Sequence, residues 1–96
     1  MFSNARSISN KYFVIRYQPN QLEVSRLGTA VSKKAVRTSI QRNRLKRIIR
    51  ESFRHENLSG CDLVVTVRSA VVNADNRVLY QSLRKLWQEL LSRCVN

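Results

Sequence analysis

The stretch from 42 to 54 constrains the fold more than any other part of the chain, because it sorts into two faces that need opposite surroundings. At helical spacing Leu45, Ile48, Ile49 and Phe53 fall at i, i+3, i+4 and i+8 and form one apolar stripe. Asn43, Lys46, Arg47, Arg50 and Arg54 fall at i, i+3, i+4, i+7 and i+11 on the other side. One face must be buried and the other carries four cations. Like charges at these spacings repel, each pair costing about a few tenths of a kcal/mol. From 32 to 54 the chain places nine of its eighteen Lys and Arg residues and one acid, Glu51. A merely solvated helix more often interleaves its signs, so this column points to a polyanion.

The rest of the composition agrees. The chain has 96 residues, a formal charge of +12 and 43% hydrophobic residues. That length suits one domain spanning 1–96 with a modest core, and the apolar fraction excludes a disordered basic tail. The charge calls for an anionic partner, nucleic acid first and an anionic membrane surface second. No run approaches the roughly 20 apolar residues of a spanning helix, and no secretory leader is visible. The expected location is the cytoplasm. Cys61 and Cys94 lack CxxC spacing, and one histidine, His55, cannot complete a zinc set with them.

In chain order, residues 1–10 are polar and weakly patterned. Residues 11–18 read as a strand, with Tyr12, Val14 and Arg16 on one face and Phe13, Ile15 and Tyr17 on the other. Pro19, Asn20 and Gln21 make a turn. Residues 22–32 give a second strand, with a bulge expected at Gly28. Thr38 or Ser39 caps the basic helix, which is expected to run to about Glu56 and stop at Gly60. His55 is read as a cation at the helix end rather than a catalytic group. Residues 62–68 give a third strand, apolar enough to suggest burial on both faces. After an irregular stretch, Asn73 or Asp75 caps a last helix reaching about Cys94. Its stripe of Leu79, Leu83, Leu86, Trp87, Leu90, Leu91 and Cys94 makes Trp87 a core residue. The pattern is β-β-α-β-α, an α+β fold with a small sheet and helices packed on it.

Nothing in this chain resembles protein-borne catalysis. The six acids are not paired in sequence as a two-metal site needs, and there is no phosphate loop or nucleophile motif. The residues describe a binding module.

Two blocks carry a resemblance. Arg26-Leu27-Gly28 leads into Val31-Ser32-Lys33-Lys34. After a short spacer comes Arg42-Asn43-Arg44-Leu45-Lys46-Arg47-Ile48-Ile49-Arg50-Glu51-Ser52-Phe53-Arg54. Together they resemble the signature of the bacterial ribonuclease P protein component. The resemblance implies a mixed sheet like the second domain of ribosomal protein S5, with a left-handed βαβ crossover. It implies an accessory subunit of the endoribonuclease that matures tRNA 5′ ends, with the catalytic centre and its magnesium ions on the RNA subunit. The implied partners are ribonuclease P RNA, at one protein per RNA, and precursor tRNA. Lys33, Lys34, Arg42, Asn43, Arg44, Lys46, Arg47, Arg50 and Arg54 would face the catalytic RNA. Phe2, Tyr12, Val14, Arg16, Lys46 and Arg50 would hold the 5′ leader, Arg16 standing where the family often has an aromatic. Phe2 would be what remains of a first helix that is otherwise truncated. The alternatives are a ribosomal or other structural RNA-binding protein, and a DNA-binding module using the basic helix.

Overall fold

The computed structural model describes residues 6–56, 58 and 60–94. Four strands, β1 (Arg6–Ser9), β2 (Phe13–Pro19), β3 (Arg26–Ala30) and β4 (Cys61–Val67), are joined by two helices, α1 (Ser39–Arg54) and α2 (Asn76–Cys94). The sheet order is β1-β2-β4-β3. β2 pairs antiparallel with β1 and with β4, while β3 runs parallel to β4. A parallel pair needs a crossover, and α1 supplies it, so β3, α1 and β4 form a βαβ unit.

Alternation decides which sheet face is buried. Phe13, Ile15 and Tyr17 of β2 and Cys61, Leu63 and Val65 of β4 point into one core with Ile8 of β1. Both helices bring their apolar stripes to it: Leu45, Ile48 and Ile49 from α1, and Leu79, Leu83, Leu86, Trp87 and Leu90 from α2. Trp87 is fully buried, its indole Nε1 donates to Ser52 Oγ at 2.8 Å, and the Phe53 ring meets it edge-on at 5.5 Å. The hydroxyl removes the cost of burying an unpaired indole N–H.

Several expectations need correction. Residues 6–9 are a strand, giving β-β-β-α-β-α. Its one core side chain, Ile8, is too little to show as alternation. β2 begins at Phe13, because the Asn10 side chain accepts from the amides of Tyr12 and Phe13 at 2.9 Å and makes that segment a turn. The second strand is shorter than 22–32, since Asn20 organises a loop instead. Its side chain accepts from Leu22 N at 2.8 Å and donates to Val24 O at 3.1 Å. Gly28 makes no bulge and pairs in unbroken register with Val64. A Cβ there would meet Val64 Cγ2 at 3.7 Å and Leu63 O at 3.8 Å, ordinary contacts. β4 is not buried on both faces, because no described helix packs over Asp62, Val64 and Thr66, which stay half-exposed. α1 ends at Arg54 with His55 as C-cap. Gly60 is not its stop; it has φ +76° at the entry to β4. Residues 69–73 form a short 3₁₀ helix, and Asp75 caps α2 by accepting from Val78 N at 3.0 Å.

Candidate nucleic-acid interface

The loop before α1 is tied in place before the helix begins. Ser32 accepts from Ala35 N through its hydroxyl at 3.1 Å and from Val36 N through its carbonyl at 3.0 Å. Val36 is buried, which pins the loop to the core. Thr38 Oγ1 accepts from Gln41 N at 3.2 Å, satisfying one of the amides at the helix start. Arg42 reaches back from α1 and donates to the carbonyls of Val36 at 3.0 Å and Arg37 at 2.9 Å. Lys33 and Lys34 are thereby held exposed on a fixed turn.

On α1, Asn43, Arg47, Arg50 and Arg54 are exposed and Lys46 is half-buried. Among the described residues the only ion pairs are Arg26–Asp62 and Arg93–Glu89, so none of these cations is paired with an acid among them. Glu51, the one acid on α1, is taken by α2, where Tyr80 Oη donates to its Oε1 at 2.7 Å. That hydrogen bond, helped by burial, raises the Tyr80 pKa. Arg47 lies one turn before Glu51 and forms no ion pair with it. Two concavities flank the column. One, of about 550 Å³, is lined by Leu27, Arg47, Arg50, Glu51, Phe53 and Arg54. The other, of about 520 Å³, is lined by Ile40, Asn43, Arg44, Arg47 and Arg50.

Arg42 and Arg44 differ from the rest of the signature. Arg42 spends part of its fork on the loop carbonyls. Arg44 donates through Nε to Gln41 Oε1 at 3.0 Å and through a second nitrogen to Asn76 Oδ1 at the start of α2. Both arginines therefore order the elements that carry the other cations. Sequence periodicity could not reveal this, since apart from Gln41 the acceptors lie in the preceding loop and the next helix.

The second candidate surface is the sheet face that the described helices leave uncovered. Register places Ser9, Val14, Thr66 and Ala30 in one row across it, and Ser7, Arg16, Val64 and Gly28 in the next. Val14 and Arg16 thus sit together as expected, Arg16 exposed. Tyr12 does not join the strand. It lies in the turn before it, packed partly against the core, with Lys11 Nζ 5.7 Å from its ring centroid. Phe2 lies outside the described residues. The floor residues Ser7, Ser9, Val64 and Thr66 were missed, although Asp62 and Thr66 at even spacing in β4 were a signal of one exposed face. At the rim of this face Asp62 accepts from Arg26 Nε at 2.8 Å, Arg26 Nη2 at 2.7 Å and Asn20 Nδ2 at 2.8 Å. Those hydrogen bonds, from Arg26 first and then Asn20, hold its carboxyl at about 2. Arg26 is held by its own ion pair, whereas Arg16 is exposed and forms no ion pair among the described residues.

Among the described residues no three His, Cys, Asp or Glu side chains come together as metal ligands, and no helix is long and apolar enough to cross a membrane.

The Ribonuclease P family model matches residues 1–91. A ribonuclease P protein component of Legionella pneumophila is 37% identical over 92 residues, spanning 96% of this chain and 81% of that protein. One from Halorhodospira halophila is 47% identical over 87 residues, spanning 88% and 71%. Among solved structures, the RNase P protein from Thermotoga maritima superposes with a TM-score of 0.82 at 32% identity, covering 92% of this chain and 86% of that one. The Staphylococcus aureus RNase P protein gives 0.84 at 27% identity, covering 93% and 84%.

Proposed function

The chain belongs to the ribonuclease P protein family, and from that premise we propose how its two open surfaces divide the work. The outer face of α1, with Lys33 and Lys34 beside it, binds the RNA subunit. Asn43, Lys46, Arg47, Arg50 and Arg54 meet phosphates there, and Arg42 and Arg44 hold the scaffold while keeping donors to spare. The uncovered sheet face takes the single-stranded 5′ leader of precursor tRNA, with Val14 and Arg16 as floor, and Lys46 and Arg50 of α1 reach the leader where it leaves that face. Tyr12 contributes at the end of that floor. A shallow, mostly uncharged floor carrying a cation tolerates sequence, which suits an enzyme with many substrates.

Hydrolysis of the phosphodiester belongs to the RNA subunit in this reading, with magnesium ions held by its phosphates. The chain supplies binding and charge. Cations near the scissile region relieve phosphate repulsion, so less magnesium is needed for assembly. One protein per RNA, in the cytoplasm, completes the proposal.

The observation that carries it is the column of exposed cations on α1 that form no ion pair among the described residues, on a helix whose other face is committed to the core. The test is reconstitution at low magnesium with the cognate RNA subunit. The expected result is restored cleavage of precursor tRNA to a mature 5′ end, and no cleavage by the protein alone. Binding to structured RNA with no stimulation of cleavage would favour a structural RNA-binding protein instead.

A further inference from the structure

Ile40 is an apolar residue that the core does not use. It lies in the first turn of α1 and is 80% exposed, while Val36 before it and Leu45 after it are buried. Single exposed aliphatics are ordinary on protein surfaces. This one stands on the cation face, three residues before Asn43 and seven before Arg47. With Asn43, Arg44, Arg47 and Arg50 it lines the concavity of about 520 Å³. That volume lies within the roughly 300–1,000 Å³ of small-ligand sites. One wall is fixed in advance, because Gln41 and Asn76 hold the Arg44 guanidinium. A planar guanidinium of that kind is a good stacking partner for a base.

We propose that this concavity seats one unstacked nucleotide of the RNA subunit, with the base packed on Ile40. The charge of the walls selects the occupant. Arg47 and Arg50 suit a phosphate, the Asn43 amide can both donate to and accept from a base edge or a 2′-hydroxyl, and the aliphatic side chain suits a base face. The proposal rests on α1 being the RNA-binding face, and it adds an apolar, charge-independent contact to what would otherwise be an electrostatic surface.

The test separates the two kinds of contact. The affinity of Ile40→Ala, Ile40→Leu and Arg47→Ala for the cognate RNA subunit is measured over a range of salt, with thermal melts of each free protein. Ile40→Ala should weaken binding about tenfold, from the loss of buried carbon atoms. Its salt slope should match that of the unaltered chain, since no phosphate contact is removed. Ile40→Leu should keep most of the affinity, and all three melts should stay close to that of the unaltered chain. Ile40→Ala binding within twofold of the unaltered chain would overturn the proposal, as would a loss that comes with a shallower slope. Failure of the unaltered chain to bind the RNA would strike the underlying reading of α1 instead.

Discussion

α1 and α2 are both amphipathic, and both press an apolar stripe into the same core, yet their outer faces follow different rules. α2 mixes its signs: Arg77, Arg84, Lys85, Glu89 and Arg93 share its surface, and Arg93 pairs with Glu89 at 2.9 Å one turn away. α1 does not. Asn43, Arg47, Arg50 and Arg54 form a column, and the nearby Glu51 is held by Tyr80 of α2 at 2.7 Å. α2 thus meets part of its charge within itself: Arg93 is paired, while Arg77, Arg84 and Lys85 form no ion pair among the described residues. α1 leaves its whole column of cations without an ion pair among the described residues, at a cost of about a few tenths of a kcal/mol per repelling pair. In the proposed reading an outside anion completes that column, and Glu51, bonded to Tyr80, forms no ion pair with Arg47.

This contrast can be broken most forcefully at Trp87. Trp87→Ala removes the largest side chain of the shared core and should destabilise the fold by about 3–5 kcal/mol in denaturant unfolding. Arg47→Ala, on the outer face of α1, should change stability by less than about 0.5 kcal/mol. Similar losses in the two variants would mean that the faces of α1 are misassigned. A smaller effect is expected at Ser52, which is buried against Trp87. Ser52→Ala leaves the indole N–H unpaired and should cost about 1–3 kcal/mol.

Tyr80→Phe probes the link between the helices and should cost about 0.5–1.5 kcal/mol. It also frees Glu51 to pair with Arg47, so RNA affinity should fall severalfold. The sign of its pH dependence follows from the raised pKa of Tyr80. The folded state keeps the phenol proton more tightly than the unfolded chain does, so this stability is fully present below the ordinary value of 10.0. It is lost as pH rises above 10.0 through the raised folded value. Denaturant unfolding at successive pH values should show that loss in the unaltered chain and not in Tyr80→Phe. Smallest of all is Glu89→Ala on α2, where an exposed i,i+4 pair contributes about 0–1 kcal/mol and the melt should barely move.

The same contrast explains what could be read from residue order. Both apolar stripes were legible because 3.6-residue periodicity is local and strong, and Trp87 was placed in the core correctly on that ground. The cation column was legible for the same reason. β1 was not, since four residues with one buried side chain carry almost no pattern. The open sheet face was half legible: Val14 and Arg16 followed from alternation in β2, but the valines of β4 masked the exposed row of Asp62, Val64 and Thr66. Tyr12 was misplaced because Asn10 captures two amides and turns the chain. The internal duties of Arg42 and Arg44 depend on Val36, Arg37 and Asn76, which only the folded chain brings near. Ile40 went unnoticed because an isolated apolar residue outside the stripe has no periodic signature.

The most direct test of the difference between the helices is the salt dependence of binding to the cognate RNA subunit. It should be measured for the unaltered chain, Arg47→Ala and Arg50→Ala on α1, and Arg84→Ala on α2. Each α1 variant should shallow the slope of log affinity against log salt by about 0.7–0.9, one released counterion per phosphate contact, and Arg84→Ala should leave it unchanged. Equal shallowing by the α2 variant, or none by those on α1, would contradict the assignment of α1 as the RNA-binding helix.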